Sequence, residues 1–185
     1  MKKISKYAFV LTFIFTSVSI ALAVDDDAAI AQLIMKKSGI TSMVALEKVK
    51  MKYPAGIIYN YELEDDDDQF FHEIKFVNLA DNQKYEINVD AKTGEIVNAK
   101  SSSATSIFNF GGKLADAETI SKSGFQMSDA ITKINLEENM VITDIEFDEE
   151  HGVQFFEIEA YGPQGKRKWL IDLENKSLIP TLKNN

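Results

Sequence analysis

The sequence contains no cysteine, and this absence removes several classes of protein at once. Without cysteine there is no disulfide bond, no thiol redox chemistry, no cysteine ligand for zinc and no cysteine for lipid attachment. Small secreted domains often depend on disulfides for stability. This chain must depend on a packed core instead, and its 45% hydrophobic residues, with 12 phenylalanines, can supply one.

Histidine is also scarce, since the sequence has only His72 and His151. His72 falls on the apolar face of a predicted strand, which indicates a partly buried, hydrogen-bonded side chain, and His151 falls in a predicted turn. A zinc site shared by the two is not expected, because zinc needs three or four ligands. No Gly-x-Ser-x-Gly motif is present either. A carboxylate pair acting as acid and base is the one catalytic alternative, and we predict that the protein is not an enzyme.

Positive charge is in deficit, with 20 Lys and Arg against 29 Asp and Glu, for a formal net charge of −9. Removal of residues 1–23, which contain three lysines and no acid, takes the charge to −12. Such a surface argues against binding to nucleic acid, whose phosphates require Lys and Arg. It favours solubility, cations or a basic partner.

Residues 1–23 have the pattern of a secretory signal peptide. Lys2, Lys3 and Lys6 form a basic start, Tyr7–Ile20 is an apolar run, and Ala21-Leu22-Ala23 is a small-x-small cleavage site. The alternative, a membrane anchor, would need about 20 apolar residues. We therefore predict an exported protein, periplasmic or secreted, with no membrane span in the mature chain.

Helical and strand periodicities alternate along the mature chain. The polar linker 101–112 separates two similar halves. In the first half the pattern predicts the helices Ala28–Lys37 and Met43–Tyr53, then the strands Ile57–Leu63 and Phe70–Val77 with an acidic loop Glu64–Gln69 between them, a third strand in Lys84–Val89 and a fourth beginning at Glu95.

The second half repeats the first. Lys122-Ser123-Gly124 follows Lys37-Ser38-Gly39 at an offset of 85, and Ile145 follows Tyr61 at an offset of 84. The repeat predicts an α+β fold of two tandem modules, each with two short helices and an antiparallel meander of about four strands. The predicted boundaries are 1–23 for the signal peptide, 24–100 for module 1, 101–112 for the linker and 113–185 for module 2.

The first module resembles the PepSY family. The resemblance lies in Ala45, Leu46 and Val49, in Tyr53-Pro54, and in the turn motif Val89–Ile96, which reads V-D-A-K-T-G-E-I. The second half has Ser128-Asp129-Ala130-Ile131 but no Tyr-Pro, and Lys176 stands where the turn motif has glycine. The architecture is also similar in outline to that of beta-lactamase inhibitor protein, which is disulfide-bonded.

The resemblance implies an exported or cell-surface domain. The PepSY family includes propeptides of thermolysin-type metalloproteases, and protease inhibition has been proposed for it. No protease domain follows in this sequence, so inhibition would act on a separate protein. We therefore expect a non-enzymatic binding protein that inhibits or regulates a protease of the cell envelope, with another envelope or secreted protein as its partner.

The acidic run Asp65, Asp66, Asp67 and Asp68 is the sharpest local feature. Carboxylate oxygens are ligands for calcium, and the run offers a candidate metal site and an alternative function, calcium binding or sensing at the cell envelope. The run lacks the alternating ligands and central glycine of an EF-hand. The competing interpretation is a solvated hairpin tip that discourages edge-to-edge pairing. We expect no cofactor, with calcium as the alternative.

Phe71 and Phe155 are the candidate binding residues. Each belongs to a pair of adjacent phenylalanines, Phe70-Phe71 and Phe155-Phe156, and adjacent strand residues point to opposite faces. One interpretation is that Phe71 and Phe155 pack the two modules together or pack onto the linker. The other is that they are exposed anchors for a partner, where aromatic side chains concentrate.

Overall fold

The structure, a computed structural model, describes residues 39–66, 69–104 and 112–180. Three helices and eight strands occur in these ranges. In chain order they are α1 (Ser42–Lys52), β1 (Gly56–Asp66), β2 (Gln69–Asn78), β3 (Gln83–Asp90), β4 (Ile96–Ser103), α2 (Gly112–Ser123), α3 (Met127–Ile131), β5 (Val141–Glu150), β6 (Val153–Gly162), β7 (Gly165–Asp172) and β8 (Ser177–Leu178).

Helix α1 begins and ends within one residue of the predicted span Met43–Tyr53. Thr41 is the N-cap, and its hydroxyl accepts a hydrogen bond of 3.3 Å from the amide of Val44. Tyr53 is the C-cap, because the proline at position 54 disfavours helical geometry in the residue before it. The apolar stripe of this helix is buried, which fixes its orientation on the sheet. Its members are Ala45, Leu46 and Val49.

All eight strands form one antiparallel sheet, in the order β4-β3-β2-β1-β5-β6-β7-β8. The α+β class is therefore confirmed, but the strands are not divided between two separate sheets. Strands β1 and β5 join the two meanders, through the pairs Asn60 with Glu146, Tyr61 with Ile145 and Glu62 with Asp144. Because backbone hydrogen bonds cross this junction, neither meander has a free edge there.

The pairing pattern of the first meander recurs in the second. A β-bulge interrupts β1 between Ile58 and Asn60, and another interrupts β5 between Ile142 and Asp144. Tyr61 lies opposite Ile74 on β2, just as Ile145 lies opposite Ile158 on β6. The outer edges differ, since β4 has eight residues and β8 has two.

The second half has two helices of unequal length. Helix α2 has 12 residues and α3 has only five. Helix α2 packs against β1 and β2, and α3 lies against β6 and α1. The predicted helix Ala28–Lys37 lies outside the described residues. No helix in the described ranges is long and apolar enough to cross a membrane.

Two predicted boundaries are wrong. Residues Ser101–Ser103, assigned to the linker, belong to β4 and pair with Gln83–Tyr85. A serine-rich edge strand is exposed, so its sequence carries no apolar alternation that would distinguish it from a linker. The strands β1 and β2 also run further than predicted, to Asp66 and from Gln69, so that Glu64–Asp66 and Gln69 of the predicted acidic loop Glu64–Gln69 belong to strands.

The core lies between the helices and one face of the sheet. Its largest fully buried side chains come from both halves of the chain and all lie below 2% exposure; they are Tyr61, Phe76, Phe156, Leu46, Ile74, Ile87, Ile120, Met127, Ile145, Ile158, Ile171 and His72. Because one set of side chains spans the β1–β5 junction, the two halves share a single hydrophobic core.

Candidate functional site

The junction of β1 and β5 places acidic side chains at the centre of the sheet. Tyr61 and Ile145 lie opposite each other and are fully buried. Neighbouring residues of a strand point to the opposite face, which places three acids on the other side of the sheet beside Asn60. We call Glu62, Asp144 and Glu146 the central carboxylates.

The central carboxylates repel one another. Burial, followed by the charges of Glu146, Glu62, Glu159 and Glu157, raises the pKa of Asp144 to about 7. Burial and the charge of Glu157 likewise raise the pKa of Glu146, whereas Lys113 and Lys168 lower it. Glu146 is exposed, and Glu62 and Asp144 are half-buried. This part of the surface therefore carries negative charge that the protein itself does not fully compensate.

Ion pairs flank the central carboxylates on both sides. Toward β4, Lys75 pairs with Glu73, and Lys100 pairs with Glu86 at 2.8 Å. Toward β7, Lys168 pairs with both Glu157 and Glu159, and its distance to Glu159 is 3.3 Å. Among residues 39–66, 69–104 and 112–180, no Lys or Arg forms an ion pair with Glu62, Asp144 or Glu146.

A second acidic group lies beside the first. Carboxylate oxygens of Glu62, Glu64 and Glu73 lie within 4.8 Å of one another, close enough to be ligands of one cation. Lys75 stands among them, because it pairs with Glu73 and its pKa is raised by Glu73, Glu62 and Glu64. The ammonium group of Lys75 already supplies positive charge at this position, so a metal ion would have to compete with it.

The predicted calcium site at Asp65–Asp68 falls partly outside the described residues, since Asp67 and Asp68 are not among them. Asp65 and Asp66 are exposed and form the end of β1, where they pair with Phe70 and Gln69. Adjacent residues of a strand point to opposite faces, so the side chains of Asp65 and Asp66 leave the strand on opposite sides. Calcium binding by the acidic run stays a prediction. The structure brings together Glu62, Glu64 and Glu73 of the same hairpin instead.

Phe71 and Phe155 lie in equivalent surroundings. Phe71 is opposite Asp90 on β3 and Glu64 on β1, and Phe155 is opposite Asp172 on β7 and Asp148 on β5. Phe71 is half-buried, whereas Phe155 is only 5% exposed. Phe155 thus offers a partner little surface, and Phe71 offers more. A role in partner binding stays a prediction for both residues.

His72 is fully buried and hydrogen-bonded at both ring nitrogens, as its place on the apolar face predicts. Its Nδ1 lies 2.8 Å from the hydroxyl of Tyr61, and its Nε2 lies 3.2 Å from the carbonyl oxygen of Ile40. A carbonyl only accepts hydrogen bonds, so Nε2 carries the proton and Nδ1 accepts from Tyr61. Burial lowers the pKa of His72 to about 4, and the ring is a structural element of the core.

The turn motif after β3 closes as its sequence indicates. Asp90 Oδ1 accepts hydrogen bonds from the amides of Lys92 and Thr93, at 2.9 and 2.6 Å. These bonds, with the bond to Thr93 as the largest cause, hold the pKa of Asp90 below its usual range. Gly94 has a φ of +72°, and Lys176, at the equivalent position after β7, has a φ of +52°. The second turn therefore keeps the backbone shape of the first without its glycine.

Sequence reasoning missed the central carboxylates. Asp144 and Glu146 follow Asn60 and Glu62 at the offset of 84 that the repeat defines, so they occupy equivalent positions on β5 and β1. These positions face each other only because β1 pairs with β5. The alternation of side chains within a strand shows which residues share a face, but it does not show which strands are neighbours in the sheet.

The sequence of residues 40–100, which extend from the residue before the α1 cap into β4, matches the PepSY family, described as "Peptidase propeptide and YPEB domain". Residues 40–100 are therefore a PepSY domain, which confirms the resemblance carried by Tyr53-Pro54 and Val89–Ile96. Among solved structures, the chain is similar to a lipoprotein candidate from Clostridium difficile 630, with 19% sequence identity over 79% of this chain and 95% of that chain, at a TM-score of 0.45. Comparison with curated proteins gives no match.

Proposed function

We propose that this protein is an exported, non-enzymatic binding protein that regulates a protease in the periplasm or outside the cell. The observation that carries the proposal is the match of residues 40–100 to a family described by its peptidase propeptides. A propeptide domain acts by binding a protease, and this chain presents such a domain on a large sheet. The signal-peptide pattern of residues 1–23 supports export.

We further propose that the two halves are tandem copies of one unit. The recurring bulges of β1 and β5 support this, as do the bonds from Ala91 to Phe70 and from Leu173 to Gln154, both 2.9 Å long. Both bonds join the turn after the third strand to the start of the second strand. The second copy would then extend the binding surface of the first through a continuous sheet.

Titration of a thermolysin-type zinc protease with the mature chain, residues 24–185, tests the proposed function. The residual protease activity is measured against the molar ratio, and the added chain is followed on a gel. We expect activity to fall with a stoichiometric endpoint while the chain remains intact, because a regulatory domain occupies the protease without being cleaved.

The control is the same chain after thermal unfolding, which competes only as a substrate. If folded and unfolded chains reduce activity equally, and both are digested, the protein is a substrate and protease regulation is wrong. Full activity at a large molar excess of folded chain would also contradict the proposal for this class of protease.

Calcium binding is the second candidate function, favoured by the close approach of Glu62, Glu64 and Glu73. A cation bound only to the folded state raises the melting temperature, and the rise grows with the logarithm of the cation concentration once this exceeds the dissociation constant. We expect a calcium-dependent rise that Glu64→Gln abolishes and that Glu138→Gln, an exposed control, retains. Equal melting temperatures with calcium and with chelator would rule this candidate out.

A further inference from the structure

The two outer edges of the sheet differ in their ability to pair with another strand. Strand β8 has two residues, and Pro180, shortly after it, has no N–H group to donate. Strand β4 has eight residues without a proline, and its side chains from Val97 to Ser103 are all exposed. Proteins protect a sheet edge by shortening it, by placing proline or lysine on it, or by covering it. Within the described ranges, only the β8 edge is shortened.

The pairing of β4 with β3 shows which backbone groups of β4 face outward. The amide of Ala104 donates to the carbonyl oxygen of Asn82 at 2.8 Å, and these two residues continue the β3–β4 register. Residues of an antiparallel pair alternate between those bonded to the partner strand and those that are not. The N–H and C=O groups of Ala99 and Ser101 therefore point away from β3. No strand of the described residues pairs with β4 on that side.

The β4 edge is electrically neutral, although the chain as a whole is acidic. Lys100 is the single charged residue of β4, and its Nζ atom lies 2.8 Å from Oε1 of Glu86 on β3. A lysine on an edge strand usually opposes pairing, but this charge is compensated within the chain. The bulge of β4 is at Val97, near its beginning, and residues 98–103 remain in regular register. Both charge and backbone geometry thus leave this edge open to another strand.

We propose that two copies of this protein pair through β4, antiparallel about a two-fold axis, and form one continuous sheet. The same strand then meets itself, so the interface is self-complementary. The chain already contains a contact of this kind, because β1 and β5, which hold equivalent positions in the two halves, pair antiparallel at the centre of the sheet. Since β8 is shortened, each copy has one open edge, and the dimer closes without a further edge for growth.

Backbone geometry limits the register of this dimer. Outward-facing residues must lie opposite outward-facing residues, so the two-fold axis passes at a residue and not between two residues. An axis at Lys100 would place the two lysines directly opposite each other, and like charges in that arrangement are destabilising. We therefore expect the axis at Ala99 or Ser101, where the side chains are small and exposed.

Cysteine variants test the contact directly, because the sequence contains no cysteine of its own. Ala99→Cys and Ser101→Cys are oxidised separately in residues 24–185, and Leu178→Cys, on the exposed β8 edge, is the matched control. Opposed residues of a hydrogen-bonded pair have Cα atoms about 5.5 Å apart, which a disulfide can bridge. We expect one of the two β4 variants to form disulfide-linked dimers at least about tenfold faster than the control, because pairing raises the effective concentration of the thiols.

Analytical ultracentrifugation measures the association without a cross-link. We expect the average mass of residues 24–185 to rise toward that of a dimer between about 1 and 100 µM, as suits a small interface. Added salt should tighten the dimer, because it screens the net negative charge that the two copies share.

Lysine variants show whether this association uses β4. The double variant Ala99→Lys with Ser101→Lys places like charges opposite each other in every register with paired outward-facing groups, and it should raise the dissociation constant at least about tenfold. Ser177→Lys with Leu178→Lys makes the same change of charge on the exposed β8 edge and should leave the dissociation constant unchanged. Circular dichroism spectra confirm that each variant is folded.

Three results would overturn the proposal. One is a monomer at every concentration up to about 1 mM, which corresponds to association too weak to be specific. Another is equal weakening by the two lysine variants, which would place the contact elsewhere. The third is disulfide formation at the same rate in the β4 and β8 variants.

The same variants distinguish a second copy from other occupants of the edge. If the chain is monomeric and the β4 lysine variant loses protease inhibition, the edge binds the protease; the inference about a second copy then fails and the proposed function stands. If the chain is monomeric and the thiol of Ala99→Cys resists a maleimide reagent, the edge is covered by the chain itself, and the inference fails as well.

Discussion

The hydroxyl of Tyr61 lies 2.8 Å from Nδ1 of His72, inside the core and directly beneath the β1–β5 junction. The same hydroxyl is 3.3 Å from the carbonyl oxygen of Ile142 on β5. His72 in turn contacts the carbonyl of Ile40, at the start of the segment that leads into α1. One buried polar group therefore connects β1, β2, β5 and the approach to α1.

Removal of the hydroxyl by Tyr61→Phe tests what this network contributes. The change leaves Nδ1 of His72 without a donor in a site closed to water, and an unsatisfied buried group costs about 1–3 kcal/mol. We expect the free energy of unfolding in urea to fall by that amount. Tyr161→Phe is the matched control, because Tyr161 is half-buried on β6, and its effect should be within about 0.5 kcal/mol. Equal effects of the two substitutions would mean that the hydrogen bond to His72 does not contribute to the free energy of unfolding.

Asp144 makes the stability of the protein depend on pH. Its pKa is raised from 3.8 to about 7 in the folded state, so between these values the folded chain binds more protons than the unfolded chain. Stability contributed by the protonated form is therefore present at low pH and is lost as the pH rises toward neutrality. We expect Asp144→Asn to be more stable than wild type at about pH 8, with an advantage that shrinks toward about pH 4.

Asp148→Asn is the control for that comparison, since Asp148 lies on the same strand but is exposed. Unfolding free energies of the three proteins are measured in urea across the pH range. A constant difference between Asp144→Asn and wild type would show that Asp144 has an ordinary pKa and that its neighbours do not repel it.

His72 makes the stability depend on pH in the opposite direction. Burial lowers its pKa from 6.5 to about 4, so the unfolded chain binds more protons between these values and stability falls as the pH drops through this window. We expect the chain that retains His72 to lose stability relative to the chain with His72→Gln as the pH falls from about 6.5 to 4. Both proteins carry Asp144→Asn in this experiment, which removes the opposing slope. Parallel pH profiles would mean that His72 does not titrate in this range.

Helix ends and turns that depend on neighbouring residues could be predicted from the sequence. Features that depend on contacts between the two halves of the chain could not. The cap at Thr41, the end of α1 before Pro54 and the Asp90 turn all follow from local chemistry. The pairing of β1 with β5 depends on shape and core packing across 84 residues of chain. The central carboxylates exist only through that pairing, so no window of sequence could reveal them.

The two candidate aromatic residues differ in a way that the sequence could not indicate. Phe155 is 5% exposed, so Phe155→Ala removes a buried ring and should cost about 3–5 kcal/mol. Phe71 is half-buried, so Phe71→Ala should cost clearly less and leave the fold intact. Urea unfolding of both variants checks this order. If Phe71 is an anchor, Phe71→Ala weakens protease inhibition without unfolding the chain, and unchanged inhibition would remove it from the binding surface.

Gly94 is the position where the PepSY turn depends most directly on glycine. Its φ is +72°, and a Cβ atom there would lie 2.9 Å from Cε of Lys48 on α1. Gly94→Ala therefore combines a left-handed backbone, which costs about 1–2 kcal/mol in an L-residue, with a contact that Lys48 must move to relieve. Gly152→Ala is the matched control, because Gly152 has a φ of +80° and open space around it.

We expect both variants to unfold at lower urea concentration than wild type, and Gly94→Ala to lose more stability than Gly152→Ala. The excess measures the contact between the turn and α1, since the backbone conformation is common to both sites. Truncation of the lysine in the double variant Gly94→Ala with Lys48→Ala should remove most of the excess. A Gly94→Ala variant as stable as wild type would show that the turn can be rebuilt without glycine, as the φ of Lys176 in the second half already indicates for the backbone alone.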